Sequence, residues 1–254
     1  MSEDRFSLKN RVAVITGASR GIGEAIAQGF AEQGATVILA ARKREPLVVA
    51  ANAIETKGGI AHPIACHTGK SDQIESLFDQ VEREFGRVDI LVNNAATNVH
   101  FGPAIDVTEA AFDKTFEINT KGYFMMAQRA ARMMTKQQSG SIINIASIVG
   151  LRTYPNQGIY GMTKAAVIYM TKMLAEELGP SGIRCNCIAP GLVETRFASV
   201  LVETDEHHKV FTDRAALGRH AQPSEMVGAA IYLASDASSY TTGAILNCDG
   251  GSHT

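Results

Sequence analysis

The chain has 254 residues, of which 45% are hydrophobic and 20% are charged, and its formal net charge is −2. This balance is typical of a folded globular protein long enough to bury a substantial core, and it gives no basis for binding nucleic acid or an anionic membrane. No apolar run approaches the roughly 20 residues of a membrane span, and the opening residues lack the pattern of a signal peptide. We therefore expect a cytoplasmic protein whose partner is a small molecule.

Strand-like and helix-like segments alternate along the whole chain. The predicted strands are residues 12–16, 36–40, 60–66, 88–93, 141–146, 183–189 and 244–248. The predicted helices are residues 21–33, 45–57, 71–85, 110–138, 160–178 and 224–234. Apolar strands separated by helices indicate a parallel sheet covered on both faces. The pattern predicts one Rossmann-type catalytic domain over 1–254, a doubly wound α/β fold with a mostly parallel sheet.

One irregular stretch, residues 190–217, interrupts this alternation. Within it Phe197, Val200 and Leu201 follow the i, i+3, i+4 spacing of an amphipathic helix. Because the stretch follows the carboxyl end of a predicted strand, where ligands bind in this fold class, we expect a mobile substrate flap. A passive surface excursion is the alternative interpretation.

The cysteines and histidines do not indicate a metal site. The four cysteines, Cys66, Cys185, Cys187 and Cys248, are scattered along the chain, and the histidines show no metal-ligand spacing. We expect buried free thiols and no bound metal.

A glycine-rich turn lies between the first predicted strand and the first predicted helix. It reads Thr16-Gly17-Ala18-Ser19-Arg20-Gly21-Ile22-Gly23. Glycines at such a turn let the backbone approach a pyrophosphate, whose charge meets the positive amino end of the helix. In an alternating α/β chain this placement predicts a dinucleotide site.

The end of the second strand indicates which dinucleotide binds. A carboxylate there would accept a hydrogen bond from the ribose of NAD and repel the 2′-phosphate of NADP. The sequence is Ala40-Ala41-Arg42-Lys43-Arg44, which contains cations and no carboxylate. Arg42 together with Arg20 is therefore predicted to favour NADP(H), the alternative being solvated cations at a helix start.

Tyr160 and Lys164 are four residues apart in a predicted helix and therefore share one face. A phenol has a pKa near 10, and an ammonium about 4 Å away at an effective dielectric of roughly 20 would lower that pKa by about 3. This predicts a tyrosine able to exchange a proton with a substrate oxygen. Ser147 follows a buried strand, and a loop could bring its hydroxyl beside the phenol.

With these motifs in place, the chain resembles a classical short-chain dehydrogenase/reductase almost from end to end. The matching positions are the glycines Gly17, Gly21 and Gly23, the segment Asn93-Asn94-Ala95, the tetrad Asn119, Ser147, Tyr160 and Lys164, the segment Pro190-Gly191 with Thr195, and Asp249-Gly250-Gly251. The resemblance implies a nicotinamide cofactor and hydride transfer between a carbonyl and an alcohol.

The resemblance also implies a role for each residue of the tetrad. Tyr160 would donate a proton to the carbonyl oxygen as hydride arrives, and Ser147 would hydrogen-bond that oxygen. Lys164 would hold the nicotinamide ribose and acidify Tyr160, while Asn119 would maintain a water path. Backbone at Ile188 and Val193 would flank the nicotinamide ring. The implied cofactor-binding residues are Gly17, Ser19, Arg20, Gly21, Ile22, Gly23, Arg42, Asn94, Ala95, Tyr160, Lys164, Pro190, Gly191, Val193 and Thr195.

Two positions depart from the usual family pattern. His67 stands where the family often has an Asp near the adenine, and Ala96 stands where it often has a Gly. The segments around them are similar to an NADPH-dependent carbonyl and retinal reductase branch. We therefore expect an NADPH-dependent carbonyl reductase for ketones or aldehydes, with a 3-oxoacyl-carrier-protein reductase or a hydroxysteroid dehydrogenase as enzymatic alternatives. A nucleotide-sensing scaffold without chemistry is the alternative from a different class.

The substrate pocket is predicted from position in the chain, and the oligomeric state from the resemblance. The candidate pocket walls are mostly apolar, which favours an apolar carbonyl or alcohol substrate; they are Phe101, Val149, Leu151, Tyr154, Leu192 and Phe197. The alternative is that these side chains are packing residues. Family members commonly pair through the long helices, here residues 110–138 and 160–178. We therefore expect a homotetramer or a homodimer.

Overall fold

The computed structural model describes residues 4–199, 201 and 205–252. Within these residues seven strands form one sheet in the order β3-β2-β1-β4-β5-β6-β7. The strands are β1 (Val12–Thr16), β2 (Thr36–Ala41), β3 (Ile60–Ala65), β4 (Ile90–Asn93), β5 (Gly140–Ile145), β6 (Ile183–Pro190) and β7 (Ile245–Cys248). Every neighbouring pair is parallel. The predicted doubly wound Rossmann fold is confirmed, and its strand order reverses between β1 and β4, which opens a crevice at their carboxyl ends.

Helices cover both faces of this sheet. They are α1 (Gly21–Glu32), α2 (Arg44–Thr56), α3 (Ser71–Phe85), α4 (Glu109–Phe116), α5 (Tyr123–Gln137), α6 (Gly158–Leu178), α7 (Asp205–Thr212) and α8 (Val227–Ala234). Side chains alternate between the two cores along a strand: on β2, Val37 and Leu39 face one core, and Ile38 and Ala40 face the other. Burial on both faces explains why these strands are apolar throughout.

Three predicted elements differ from the structure in a local way. The helix predicted over 110–138 is divided by a π-helical segment, Glu117–Gly122. The strand predicted from residue 88 begins at Ile90, because the Val88 backbone is hydrogen-bonded to the Gln137 side chain instead. The Val88 N–H donates to Gln137 Oε1 at 3.0 Å, and Gln137 Nε2 donates to Val88 O at 2.9 Å. The last predicted helix begins with a 3₁₀ turn, Pro223–Met226.

The flap segment contains short helical stretches among its described residues, and Ser199 and Leu201 are both helical. A 3₁₀ turn covers Arg196–Ala198, and α7 lies further along the segment. Phe197 is 51% exposed, so it does not belong to a buried apolar stripe. Val200, the second member of that predicted stripe, lies outside the described residues.

The structure also bears on the expectations for the cysteines, for a membrane span and for a metal site. Cys66, Cys185 and Cys187 are buried free thiols, whereas Cys248 is part-buried. Across residues 4–199, 201 and 205–252, no helix is long and apolar enough to cross a bilayer, and no cluster of three His, Cys, Asp or Glu side chains could hold a metal ion.

Candidate active site

The glycine turn after β1 packs directly on the end of β4. Gly17 has a φ of 65°, in the left-handed region that favours glycine. A Cβ at Gly23 would lie 2.5 Å from Asn94 Nδ2 and 2.6 Å from Gly17 O. Asn94 Nδ2 occupies that space because it donates to Thr16 O at 2.9 Å. The turn is therefore a tight backbone cradle that admits no side chain at Gly23.

Thr16 links this turn to β4, a role that the sequence analysis missed. Its hydroxyl accepts from the N–H of Asn94 at 2.8 Å and of Ala95 at 3.0 Å, and it donates to Val92 O at 3.2 Å. The sequence feature that could have indicated this role is a threonine at a strand end directly before a glycine. Asn94 and Ala95 are thus fixed through backbone and side-chain contacts at the crevice.

The amino end of α1 has the features of an anion site. Arg20 is its N-cap residue, and no side chain caps the first turn. The amide groups of that turn are therefore available to an anionic ligand, and they carry the positive end of the helix dipole. Ser19 is part-buried beside them, and Ile22 packs on the core. The cradle and the uncapped helix together fit a pyrophosphate.

The carboxyl ends of β2 and β3 form a cationic edge of the crevice. Arg42 is exposed directly after β2. Burial, together with the charges of Lys114 and Arg42, lowers the pKa of His67, which follows β3. His67 Nδ1 accepts the Gly69 N–H at 3.0 Å, so the neutral ring carries its hydrogen on Nε2. The departure at His67 therefore replaces a carboxylate by a neutral group, which adds no negative charge near Arg42.

Tyr160 and Lys164 lie side by side near the amino end of α6, as their spacing predicts. Lys164 Nζ is 5.5 Å from the centroid of the Tyr160 ring. The Lys164 side chain is buried, and Nζ donates to Ile145 O at the end of β5 at 2.7 Å and to the Tyr123 hydroxyl at 3.2 Å. Helix α6 thus delivers both groups to the carboxyl edge of the sheet.

The structure opposes the expected acidification of Tyr160. Burial raises the pKa of Tyr160 above its usual value. Burial also lowers the pKa of Lys164 to about 7, which weakens the charge that was expected to stabilise a phenolate. Loss of hydration therefore outweighs the attraction between the two groups, and Tyr160 is a neutral phenol that carries its proton.

Ser147 begins a 3₁₀ turn that lies flat against α6. Its Oγ accepts the Val149 N–H at 3.3 Å, which leaves its own hydrogen available to another acceptor. A Cβ at Gly150 would lie 2.7 Å from the backbone carbon of Lys164, so the turn and the helix make close backbone contact. This contact brings the Ser147 turn onto the part of the helix that carries Tyr160 and Lys164.

Asn119 lies in the π-helical segment and joins two parts of the site. Its Oδ1 accepts the Thr97 N–H at 2.8 Å, and its Nδ2 donates to Thr97 O at 2.8 Å and to Thr163 Oγ1 at 3.1 Å. The side chain therefore ties the loop after β4 to the residue that precedes Lys164. The expected water path stays a prediction.

The loop after β6 closes the crevice opposite α6. Gly191 N–H donates to Cys248 O at 3.1 Å, and a Cβ at Gly191 would lie 2.9 Å from Asp249 Cα. Val193 pairs with Ala221 as an isolated bridge after the strand end at Pro190.

Thr195 brings this loop to the glycine turn. Its Oγ1 accepts the Ala198 N–H at 3.2 Å. A Cβ at Gly21 would meet Thr195 Cγ2 at 3.2 Å. The two halves of the predicted cofactor site therefore lie in contact.

The predicted pocket walls divide into a buried cluster and an exposed cover. Val149, Tyr154 and Leu192 are buried in one cluster with Phe211 of α7. The Tyr154 and Phe211 rings stack at 4.6 Å between centroids. Phe197 packs on Tyr160 at 5.6 Å between centroids although it is half exposed. Phe101 and Leu151 are part-buried. Several of the residues predicted to line the substrate pocket therefore pack beneath α7.

Tyr123 is a further site residue that the sequence analysis missed. It is 1% exposed, and its hydroxyl donates to Ile145 O at 3.1 Å beside Lys164 Nζ. Its position four residues after Asn119 was the available signal, since such residues share a helix face. The π-helical segment between them made that inference from spacing insecure.

Comparison with known proteins agrees with this geometry. A family model described as enoyl-(acyl carrier protein) reductase matches residues 17–253. Dehydrogenase/reductase SDR family member 4 of Mus musculus is 36% identical over 247 residues, covering 97% of this chain and 88% of that protein. The 3-oxoacyl-[acyl-carrier-protein] reductase FabG of Thermotoga maritima is 38% identical over 244 residues, covering 96% of this chain and 98% of that protein.

Solved structures give the same result at the level of the whole fold. A short-chain type dehydrogenase/reductase from Mycobacterium marinum superposes with a TM-score of 0.94 at 40% identity, covering 98% of both chains. A gluconate 5-dehydrogenase from Burkholderia cenocepacia, solved in complex with NADP and tartrate, has a TM-score of 0.94 at 35% identity and covers 98% of this chain and 97% of that one. The chain belongs to the short-chain dehydrogenase/reductase family, whose members are oxidoreductases that use a nicotinamide dinucleotide.

Proposed function

We propose that the protein is an NADPH-dependent carbonyl reductase that converts a ketone or aldehyde to an alcohol. The observation that carries the proposal is the Tyr160–Lys164 pair at the carboxyl edge of the sheet, with the Ser147 turn packed against the same helix. A scaffold that had lost its chemistry would not need a buried lysine beside a protonated phenol, since such a lysine is costly to fold.

The chain supplies the proton and orients the substrate oxygen. A bound nicotinamide dinucleotide supplies the hydride. Tyr160 donates its proton to the carbonyl oxygen as negative charge develops there, and Ser147 donates a hydrogen bond to the same oxygen. A phenol with a raised pKa is still an adequate acid for this step because an alkoxide is a much stronger base than a phenolate. In the reverse direction, the same phenol must first lose its proton.

The residues that would hold the cofactor run along the crevice from the glycine turn to the loop after β6. The backbone of the turn and the amino end of α1 would bind the pyrophosphate, and Lys164 would bind the nicotinamide ribose. Val193 and Thr195 would lie on the nicotinamide side. These roles are supported by the contact between Gly21 and Thr195, which joins the two ends of the site.

A preference for NADP(H) over NAD(H) is supported by charge at the far end of the crevice. Arg42 follows β2 with no carboxylate among its neighbours in sequence, and His67 after β3 is neutral. An exposed guanidinium can form a charge-assisted hydrogen bond to a 2′-phosphate. A gluconate 5-dehydrogenase that resembles this chain was itself solved with NADP.

A 3-oxoacyl-carrier-protein reductase is the second candidate, favoured by the 38% identity to the Thermotoga maritima enzyme. Such enzymes usually present a basic surface to an acidic carrier protein. Here Arg129 of α5 is already paired with Glu75 and Asp79, each at 2.6 Å. Arg132 is exposed. The neutralised Arg129 leaves little basic surface for a carrier, which favours the carbonyl reductase.

The experiment that separates these functions is a substrate panel followed by NADPH absorbance. The panel contains aliphatic and aromatic ketones, aldehydes, a 3-oxosteroid and a 3-oxoacyl thioester on either a carrier protein or a short pantetheine arm. The proposal expects the highest kcat/KM with an apolar ketone or aldehyde. Strong preference for the carrier-bound thioester would favour the second candidate, and no turnover of any carbonyl compound would contradict the proposal.

We also propose a homo-oligomer, a homodimer or homotetramer, assembled through α5 and α6. An apolar groove of about 830 Å³ lies between α4, α5 and α6 on the outer surface, with Phe124, Tyr169 and Met173 among its lining residues. Phe124 and Tyr169 are exposed, at 36% and 73%, as expected for side chains that a second copy would cover. Light scattering should give a multiple of the 27.1 kDa chain mass. A monomer at micromolar concentration would contradict this proposal.

A further inference from the structure

Three polar atoms form a closed triangle beneath the proposed active site. Lys164 Nζ lies 2.7 Å from Ile145 O and 3.2 Å from the Tyr123 hydroxyl, and that hydroxyl lies 3.1 Å from Ile145 O. Nζ also lies 4.9 Å from the centroid of the Tyr123 ring. Lys164 and Tyr123 are each 1% exposed. Water therefore contributes little to the solvation of this ammonium, and the protein must replace it.

The directions of the hydrogen bonds assign a function to the Tyr123 hydroxyl. Its single hydrogen points to Ile145 O, so its lone pairs remain to accept a hydrogen bond from Lys164. An ammonium has hydrogens and no lone pair, and it needs such acceptors. The face of the Tyr123 ring adds a second favourable contact, since an aromatic ring attracts a cation. Both contacts are stronger for the charged form of Lys164 than for the neutral amine.

No anion supports Lys164 within the described part of the chain. The titratable groups that face it are Tyr123 on α5, Tyr160 on its own helix and Cys187 on β6. Burial raises the pKa of each of these groups, that of Cys187 to about 12, so that all are neutral near pH 7. The charge on Lys164 therefore depends on neutral acceptors and on the ring of Tyr123.

Tyr123 is held in position independently of any ligand. Asn93 at the end of β4 donates from Nδ2 to Tyr123 O at 3.1 Å and to Asn144 Oδ1 at 3.0 Å. Asn144 donates in turn to Thr171 Oγ1 on α6 at 3.0 Å. This buried network joins the start of α5 to the sheet and to the helix that carries Lys164. The tyrosine is thus a preorganised acceptor for the ammonium.

We propose that Tyr123 is a positioning residue that favours the charged form of Lys164 and fixes it at the carboxyl end of β5 through its hydroxyl and its ring. The role in turnover rests on the proposed function, in which Lys164 binds the nicotinamide ribose beside Tyr160. The effect on Lys164 itself does not, because it belongs to the ligand-free protein. Tyr123 acts only through Lys164, since its hydroxyl is directed at Ile145 O.

The test is Tyr123→Phe, which removes the hydroxyl and keeps the ring. Protein carrying ¹³C-labelled lysine is titrated without ligand, and the Lys164 signal is assigned by its loss in Lys164→Met. Loss of a charge-assisted hydrogen bond corresponds to a fall of about one to two pH units in the titration midpoint. Tyr232→Phe is the matched control, because it removes a phenol whose 2.9 Å hydrogen bond goes to Thr241, away from the site.

The kinetic readout is the pH profile of carbonyl reduction. If Lys164 must be charged, the alkaline limb of the Tyr123→Phe profile moves to lower pH by the same amount, and the rate recovers when the assay pH is lowered. A loss of rate that is equal at every pH, with an unchanged Lys164 titration, would overturn the proposal. A shifted Lys164 titration in a protein whose Tyr160→Phe variant stays active would support the role of Tyr123 and contradict the proposed function instead.

Discussion

The two sides of the crevice are built by different means. At the glycine turn the ligand surface is backbone: Gly23 has no room for a Cβ, and the first turn of α1 presents open amide groups. On α6 the surface consists of side chains whose charge states depend on burial, as the lowered pKa of Lys164 shows. The glycine turn tolerates almost no added side-chain atom. The α6 side tolerates such atoms, but its function depends on the protonation states of Tyr160 and Lys164.

This difference teaches where each kind of substitution should act. Steric changes at the turn should affect binding of the dinucleotide and the packing of the sheet. Changes of hydrogen bonding or charge on α6 should affect turnover and its pH dependence.

The largest effect is expected for Lys164→Met on the side-chain half. The variant keeps an apolar chain of similar length but loses the ammonium that would bind the nicotinamide ribose beside Tyr160. We expect kcat to fall by about 10²- to 10⁴-fold, together with weaker NADPH binding. Lys172→Met, at an exposed position of the same helix, is the control and should be almost unchanged. Wild-type kcat in Lys164→Met would contradict the assigned role.

Arg42→Ala should change the choice of cofactor without changing the chemistry. Removing one charge-assisted hydrogen bond costs about 1.5–3 kcal/mol, roughly a 10- to 150-fold change in affinity. We expect kcat/KM with NADPH to fall by that factor while the value with NADH stays the same. Lys43→Ala, the neighbouring exposed cation, is the control. Equal efficiencies with both cofactors in the wild type would refute the NADP preference.

Gly23→Ala tests the backbone half by adding one methyl group. The new Cβ would lie 2.6 Å from Gly17 O, a backbone atom that cannot move without opening the turn. We expect a loss of about 1–3 kcal/mol in the free energy of unfolding, as in other overpacked sites, with weakened dinucleotide binding. Gly228→Ala in α8 is the control, because a Cβ there meets nothing within 4 Å. Equal behaviour of the two variants would show that the cradle is not tight.

The smallest effect concerns stability and pH. Because folding lowers the pKa of Lys164 to about 7, the unfolded chain binds this proton more tightly between that pH and the usual lysine range. The ligand-free protein should therefore gain stability as pH rises, by at most about 1.4 kcal/mol per pH unit from this group. Denaturant titrations at pH 7.5 and 9.5 measure the gain, and Lys164→Met should lack it. An identical slope in both proteins would mean that Lys164 is not the cause.

The sequence was sufficient for the fold and for the backbone half of the site. Uniformly apolar strands and the glycines after β1 are local signals, and the structure has seven strands in one sheet that is parallel throughout. The interruption of the helix over 110–138 was not predicted, because the π-helical segment Glu117–Gly122 contains no proline to signal a break. The hydrogen bonds of the Val88 backbone were not predicted for a different reason, because their partner, Gln137, lies far away in sequence.

For the side-chain half of the site, on α6, the sequence predicted only the geometry. The spacing of Tyr160 and Lys164 correctly indicated neighbours, but the sign of the Tyr160 pKa shift depends on how much water the fold removes. Tyr123 could not be assigned, because its contact with Lys164 requires α5 and α6 to meet over the end of β5. Long-range packing therefore decides the chemistry that local spacing only suggests.

The central claim is that Tyr160 supplies the proton in carbonyl reduction. Tyr160→Phe keeps the ring and its packing against Phe197 but removes the transferable hydrogen. Single-turnover reduction of the best ketone and NADPH binding by fluorescence should be measured together, with Tyr240→Phe at a fully exposed position as the control. We expect a loss of at least about 10²-fold in rate with NADPH affinity retained. A Tyr160→Phe enzyme that keeps more than about a tenth of the wild-type rate, against that expected loss, would show that the proton comes from another group.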